Sequence, residues 1–427
     1  MKAGFAEVDI TPPVGTLKIG WLKKIVSDKV IDPLFARIAV FENGAQRIGF
    51  VQLDTLSVRW TTVRAIRTRI EKQCKFPGSA VMVSATHNHA GPAVAGTGEV
   101  PRDEAYVESM VGKAVEAFGR ALKNAVDAEI GFGSVFEFNV AFNRRVVMRD
   151  GTVRTHGTFA DPDALFFEGP VDPEVAVLAA RRPNGTPLGC LVNFACHPTH
   201  FGGEGTLSAG YPGALAAAMK KKHWPVTLFL NGPCGNTHTS DPTRNGAGMS
   251  LEEAGAQLAD DAAKAIAAME FRRDWSLATA SRTVRLPYRR YTKEEVAGTI
   301  HGAQRFVDPA IYDRGMPDLL KRIRMRKTQP VEIQVLSLGD VDFAAMPAEY
   351  FVEFGLKIKE AVHPRRALVV SCANGMVGYV PTQAAFERGG YETTFAASSR
   401  MAPEAGDMMA DAAIGLVRTR KGKRGRK

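Results

Sequence analysis

Two histidines one residue apart, His87 and His89 in Ser84-Ala85-Thr86-His87-Asn88-His89-Ala90-Gly91-Pro92, stand just beyond the apolar run Ser79-Ala80-Val81-Met82-Val83. The run is short, partly β-branched and bounded upstream by Pro77-Gly78, so it reads as a buried strand, and Ala90-Gly91-Pro92 closes the segment. The histidines therefore fall at a strand's C-terminal end, where α/β sheets collect ligands because variable loops stand on a rigid base. On an extended segment, positions two apart face the same side, so both imidazoles are expected to reach one pocket. A lone His-x-His also fits a pair of polar loop residues, since a metal site needs three or four ligands.

A second segment repeats the pattern. Leu188 to Cys196 is another strand-like run, and it ends in His197-Pro198-Thr199-His200, where the proline steers His197 toward an extended conformation. Four of the nine histidines lie in these two segments. A third run, Val341 to Met346, is broken by Pro347-Ala348, and Glu349 then opens an expected helix through Tyr350, Phe351 and Phe354. A glutamate there is explained equally well by the helix dipole. The fourth run, Ala367 to Cys372, leads through Asn374-Gly375 to Gly378-Tyr379-Val380-Pro381-Thr382, a context in which Tyr379 reads as a packed core residue.

In this order, SATHNHAGP, NFACHPTH, AAMPAEY and NGMVGYVPT with Tyr391 shortly after resemble the catalytic N-terminal domain of the neutral/alkaline (non-lysosomal) ceramidases. The opening Ala3 to Pro13 is similar too, and the likeness spans residues 3 to 415. The resemblance implies a zinc ion held by His87, His197, Glu349 and Tyr379. It implies that His89 exchanges a proton or hydrogen-bonds the oxyanion, and that Arg144 and Tyr391 contact the substrate or the tetrahedral intermediate. Arg144 also fits a surface ion pair. Zinc takes imidazole and carboxylate ligands and lowers the pKa of a bound water to about 7, which suits attack on an amide.

The chain departs from that pattern in two places. Where the family carries Asn-Gly-Asp-x-Ser-Pro-Asn, this chain has Asn231-Gly232-Pro233-Cys234-Gly235-Asn236, so the acid and the serine are replaced by Pro233 and Gly235. Cys234 invites a nucleophile reading, but a cysteine among glycines is more often a small buried residue. The family's β-sandwich domain is also not expected, because the sequence ends soon after the catalytic part.

The expected fold class is α/β, with mixed β-sheets flanked by helices in a single large catalytic domain over residues 1–417, followed by a basic disordered tail at 418–427. Arg47 to Asp54 reads as a strand, Trp60 to Cys74 as an amphipathic helix, and Asp103 to Asn124 as a long helix. Ser250 to Met269 reads as a helix opened by a Ser250/Glu253 capping box. Glu174 to Arg181 with Leu188 to Cys196, and Val331 to Leu338 with Val341 to Met346, read as hairpins. Gly202 to Gly213 and Tyr291 to Lys327 are candidate covers over the site. Leu165-Phe166-Phe167 reads as a lipid-facing rim or as a packed strand.

With 427 residues, 45% hydrophobic and 23% charged, the chain can bury a large core and is not disordered. No window approaches the ~18 apolar residues of a membrane span, the N-terminus lacks a signal peptide's apolar core, and the five cysteines show no secreted pairing pattern. A cytoplasmic location is expected. The net charge of +10 is concentrated in the tail, where Arg418 to Lys427 holds seven basic residues and no acid. Such a tail is a solvated end that can hold weak membrane-surface contact through anionic lipid, and no nucleic-acid platform accompanies it.

The expected activity is zinc-dependent hydrolysis of a ceramide-like N-acyl amide to fatty acid and amine (sphingoid base). Two other readings stay open: the same site acting on a non-lipid amide or ester, and an inactive module that binds a lipid or protein partner.

Overall fold

In the strand Val341–Ala345, Val341, Phe343 and Ala345 enter one apolar cluster and Ala344 another, while Asp342 on the Ala344 side is buried in an ion pair with Arg365. A strand buried on both faces needs a layer above and below it. The computed structural model of the chain, which describes residues 1–419, supplies those layers three times over.

The architecture is α/β, built on three mixed sheets. The first runs Val81–Ala85, Gln46–Leu53, Phe35–Asn43, Lys2–Asp9, Val126–Asp127. The second runs Glu129–Phe136, Glu174–Arg181, Pro187–Phe194, Thr227–Asn231, and the third Leu277–Pro287, Thr328–Leu338, Val341–Ala345, Arg366–Val370. Each is antiparallel except for one parallel pair at an edge: Gln46–Leu53 with Val81–Ala85, Pro187–Phe194 with Thr227–Asn231, and Val341–Ala345 with Arg366–Val370.

The period-2 alternation of strand side chains explains the layering. One face of each sheet turns to a shared centre, where Phe41, Phe50 and Met82 meet Leu178, Leu191 and Leu228 of the second sheet and Leu336, Phe343 and Val370 of the third. Phe50 meets Phe343 edge-on with ring centroids 5.0 Å apart. The other faces are covered by helix pairs. Trp60–Cys74 and Glu104–Lys123 cover the first sheet, Gly210–Lys221 and Leu251–Ala267 the second, Val352–Val362 and Ala405–Thr419 the third.

The local signals hold where they are strong. Trp60–Cys74 buries Val63, Ile66 and Ile70, Asp103 caps Glu104–Lys123 by accepting from Tyr106 N–H, and both halves of the Ser250/Glu253 capping box form. Both expected hairpins pair antiparallel. No helix among the described residues is long and apolar enough to cross a membrane. The last helix takes in Arg418 and Thr419, and the rest of the expected basic tail lies outside the described residues.

Two expectations of local structure are corrected. Glu349 does not open a helix: Glu349–Tyr350 pairs in parallel with Tyr379–Val380, and the helix starts at Val352. The pairing partner lies far along the chain, so nothing local to Glu349 signals it. His87 is not extended either. Its φ of +68° is left-handed, so a turn rather than the strand pleat sets the two histidines side by side.

Candidate functional site

The three parallel pairs end at one place. Ser371 N–H donates to Asn231 O at 2.8 Å and Asn374 N–H to Val83 O at 2.8 Å, while Asn231 Nδ2 donates to Thr86 O at 3.0 Å. The segments that follow these strand ends carry His87 and His89, His197, Glu349 and Tyr379, so all five are brought to the wall of a single cavity of about 660 Å³. Arg144 and Tyr391 line it too.

The imidazoles of His87, His89 and His197 converge. His87 Nε2 lies 2.9 Å from His197 Nε2, and His89 Nε2 lies 3.3 Å and 3.1 Å from those two atoms. Each ring is held from behind by its other nitrogen. His87 Nδ1 is 2.7 Å from Leu56 O, His89 Nδ1 2.8 Å from Gly20 O, and His197 Nδ1 3.0 Å from Cys234 O. A carbonyl can only accept, so each Nδ1 carries a proton and each ring turns its Nε2 toward the others. Gly20 permits this approach: its φ is +126°, and a Cβ there would lie 2.7 Å from the His89 backbone.

Three converging lone pairs repel unless a cation lies among them. The separations are also close to the roughly 3.3 Å edge of a tetrahedral shell with ~2.0–2.1 Å Zn–N bonds. The group could hold a metal ion, and the donor set fits one. Glu349 adds a carboxylate, with Oε2 3.4 Å from His87 Nε2. Burial lowers the pKa of His89 and His197 well below the ordinary value, assisted by His87 and Arg144, so both are neutral. At His87 burial acts the same way, but Glu349 outweighs it and raises the pKa. A proton and a metal ion therefore compete for one lone pair.

Behind the histidines lies a buried ionic cluster. Arg144 Nε donates to Glu392 Oε1 at 2.8 Å, and its Nη2 donates to Gly235 O at 2.8 Å and to the Tyr379 phenol oxygen at 3.2 Å. Arg144 is thus a buried residue of the site and not a surface ion-pair partner. Arg145 Nη1 donates to the other Glu392 oxygen at 2.6 Å, and Thr155 Oγ1 donates to it at 2.7 Å. Burial would raise the Glu392 pKa, but Arg144 and Arg145 hold it down at about 2. Burial also opposes the charge on Arg144, yet Tyr379 and Glu392 raise its pKa, so the guanidinium stays charged. Burial pushes both Tyr379 and Tyr391 upward, and their rings meet edge-on at 5.5 Å.

Sequence reasoning missed Glu392, because Gly389-Gly390-Tyr391-Glu392-Thr393 looks like a surface turn. It also missed His156, which lines the cavity, packs against His238 at 4.7 Å, and is pushed down to about 4 by burial and then by Arg144. The segment that departs from the ceramidase pattern is a brace: Cys234 and Gly235 offer carbonyls to His197 and Arg144, and Asn236 Oδ1 accepts from Val352 N–H at 2.9 Å. The Cys234 thiol is buried and does not line the cavity.

Of the two readings of Leu165-Phe166-Phe167, the strand is found and the rim over this cavity is not. Leu165, Phe166 and Phe167 belong to the strand Ala164–Phe167, and none of them lines the cavity. Apolar walls come instead from Trp21, Leu22, Phe306, Ile311, Met316 and Leu319, the last four supplied by the expected cover Tyr291 to Lys327.

No protein-family model matches the chain, and no curated protein matches it. Solved structures do. A ceramidase complexed with C2 is similar with a TM-score of 0.73 and 19% identity, covering 99% of this chain and 75% of that one. The neutral ceramidase from Pseudomonas aeruginosa is similar with a TM-score of 0.73 and 20% identity, covering 99% of this chain and 74% of that one. The chain therefore shares its fold with these ceramidases over nearly its whole length.

Proposed function

We propose that this chain is a zinc-dependent amidohydrolase of the ceramidase type, in which water attacks an N-acyl amide and releases a fatty acid and an amine. One observation carries the reading: the Nε2 lone pairs of His87, His89 and His197 meet beside Glu349 at the wall of a partly apolar cavity. The fold shared with the ceramidases supports it. In this reading residues 1–417 work as one hydrolase unit.

His87, His197, Glu349 and Tyr379 would hold the ion. Zinc bound there supplies Lewis acidity and brings the pKa of water near about 7. Gly20 O holds His89 Nδ1, so Nε2 is the atom that would take a proton as the nucleophile forms and return it to the departing amine. Arg144 stays charged in a buried site, which suits it to stabilise negative charge developing on the carbonyl oxygen. Tyr391 offers a phenol O–H to the same oxygen. Phe306, Ile311 and Leu319 give an acyl chain an apolar wall.

Hydrolysis of N-acyl amines of graded acyl length, before and after chelation and with zinc restored, tests the reading. Cleavage that disappears on chelation and returns with zinc is expected. Failure to cleave any length sinks the amidase assignment.

A further inference from the structure

Buried arginines in this protein are paired with acids. Arg37 meets Asp54 at 2.8 Å, and Arg144 and Arg145 share Glu392. On the cavity wall Arg400 breaks that rule, and half-buried Arg59 and exposed Arg322 stand there with it. Arg59 stands at the N-cap of the helix Trp60–Cys74, Arg322 projects from Pro309–Arg326, and Arg400 follows the turn at Ala396–Ser399. Among the described residues none of the three forms an ion pair with a carboxylate, and Glu349, held at the histidines, is the one acid lining the cavity.

Arg59 Nη2 donates to Gly96 O at 2.8 Å, and Arg400 donates to Ala397 O and interacts with the Tyr288 phenol, so neither meets a carboxylate. Arg400 is only 9% exposed, and its Nε has no hydrogen-bond partner. Burial, then Arg322 and Arg59, pull the Arg400 pKa down to about 10, and burial with Arg322 and Arg102 lowers that of Arg59. The adjoining helix N-terminus adds partial positive charge and has no acid in its first turn. Grouped cations taken partly out of water are costly without an anion, and the guanidinium fork matches carboxylate and phosphate oxygens.

We infer that the substrate carries an anionic group, a carboxylate or a phosphate, which docks on Arg59, Arg322 and Arg400 while its amide reaches the histidine cluster. This rests on the amidohydrolase reading for the identity of the reacting bond. It makes an anionic N-acyl amide, and not a neutral one, the preferred substrate.

The test uses N-dodecanoyl derivatives of glycine, phosphoethanolamine and ethanolamine, which present a carboxylate, a phosphate and a neutral hydroxyl on the same acyl chain. Affinities are read by calorimetry on the full chain carrying Glu349→Gln, and turnover on the wild type. At least one anionic probe should bind roughly tenfold or more tightly than the neutral one, and the stronger of the two names the anion. Arg322→Gln and Arg400→Gln should each bring that affinity toward the neutral probe's. Arg322 is exposed and its side chain makes no hydrogen bond among the described residues, so its variant gives an answer even if Arg400→Gln does not fold. Equal affinity for all three probes, or an anion preference untouched by Arg322→Gln, overturns the inference. An anion preference that both variants abolish, with no probe cleaved by the wild type, would uphold the anion site and remove the amidase reading instead.

Discussion

Arg144 and Glu392 form a buried ion pair, Nε to Oε1 at 2.8 Å, and the same guanidinium reaches the Tyr379 phenol at 3.2 Å. The carboxylate thus aims the charge that faces the cavity. Glu392→Gln leaves Arg144 and Arg145 without their shared anion, which is expected to cost about 3 kcal/mol or more of stability. Denaturant unfolding measures this, and a variant as stable as the wild type would deny Glu392 that role.

The acid limb of stability follows from depressed pKa values, those of the buried histidines His89, His156, His197 and His238 and that of Glu392. His156 sits at about 4 in the folded chain against 6.5 unfolded, so its share is complete above pH 6.5 and is lost as pH falls toward 4. Glu392 sits at about 2 against 4.5, so its share is complete above pH 4.5 and is lost between 4.5 and 2. Melting temperature should therefore fall in two stages on acidification. His156→Gln should make the upper stage, which His89, His197 and His238 share, shallower and leave the lower one as it is, and an unchanged upper stage in that variant contradicts the assignment.

Metal content separates the histidines. About one zinc per chain is expected, and His87→Ala combined with His197→Ala should abolish its retention. His89→Ala should keep the metal through His87, His197 and Glu349 while turnover falls. Loss of metal from His89→Ala would make His89 a ligand, a role its 3.1 Å and 3.3 Å separations also allow.

The two tyrosines should part in the same way. Tyr379→Phe removes a proposed ligand and an acceptor for Arg144, so zinc affinity should drop. Tyr391→Phe should keep zinc and lower turnover by about 10²- to 10³-fold, the usual effect of losing one oxyanion donor. Equal metal loss in both would show that Tyr391 does not act on the intermediate.

What the sequence made legible was whatever is local. The histidines were found because a strand signal ends directly before each motif, and the capping box at Ser250 and the helix Trp60–Cys74 follow from neighbours in sequence. What it hid depends on distant segments meeting. Glu349 is held by pairing with Tyr379, Glu392 by arginines from another sheet region, and Arg59, Arg322 and Arg400 come together only in the folded cavity. The carbonyls of Leu56, Gly20 and Cys234, which set the three tautomers, belong to residues whose side chains give no hint of it.

On the amidase reading, the cavity wall is expected to decide chain-length selectivity. Leu165 and Phe166 are exposed at 43% and 49% and stand outside the cavity, so replacing both with serine should leave the ratio of long- to short-chain rates unchanged. Phe306 and Leu319 line it from the segment that covers the site. Burial of a CH₂ against such a wall is worth about 0.8 kcal/mol, so each methylene that reaches it should raise kcat/KM several-fold. Phe306→Ser with Leu319→Ser removes part of that wall and should flatten the rise, with short-chain rates held. Initial rates across acyl lengths for the two double variants settle the matter. If the Leu165 and Phe166 pair shifts the profile and the Phe306 and Leu319 pair does not, the acyl chain lies on the strand Ala164–Phe167 and outside the cavity.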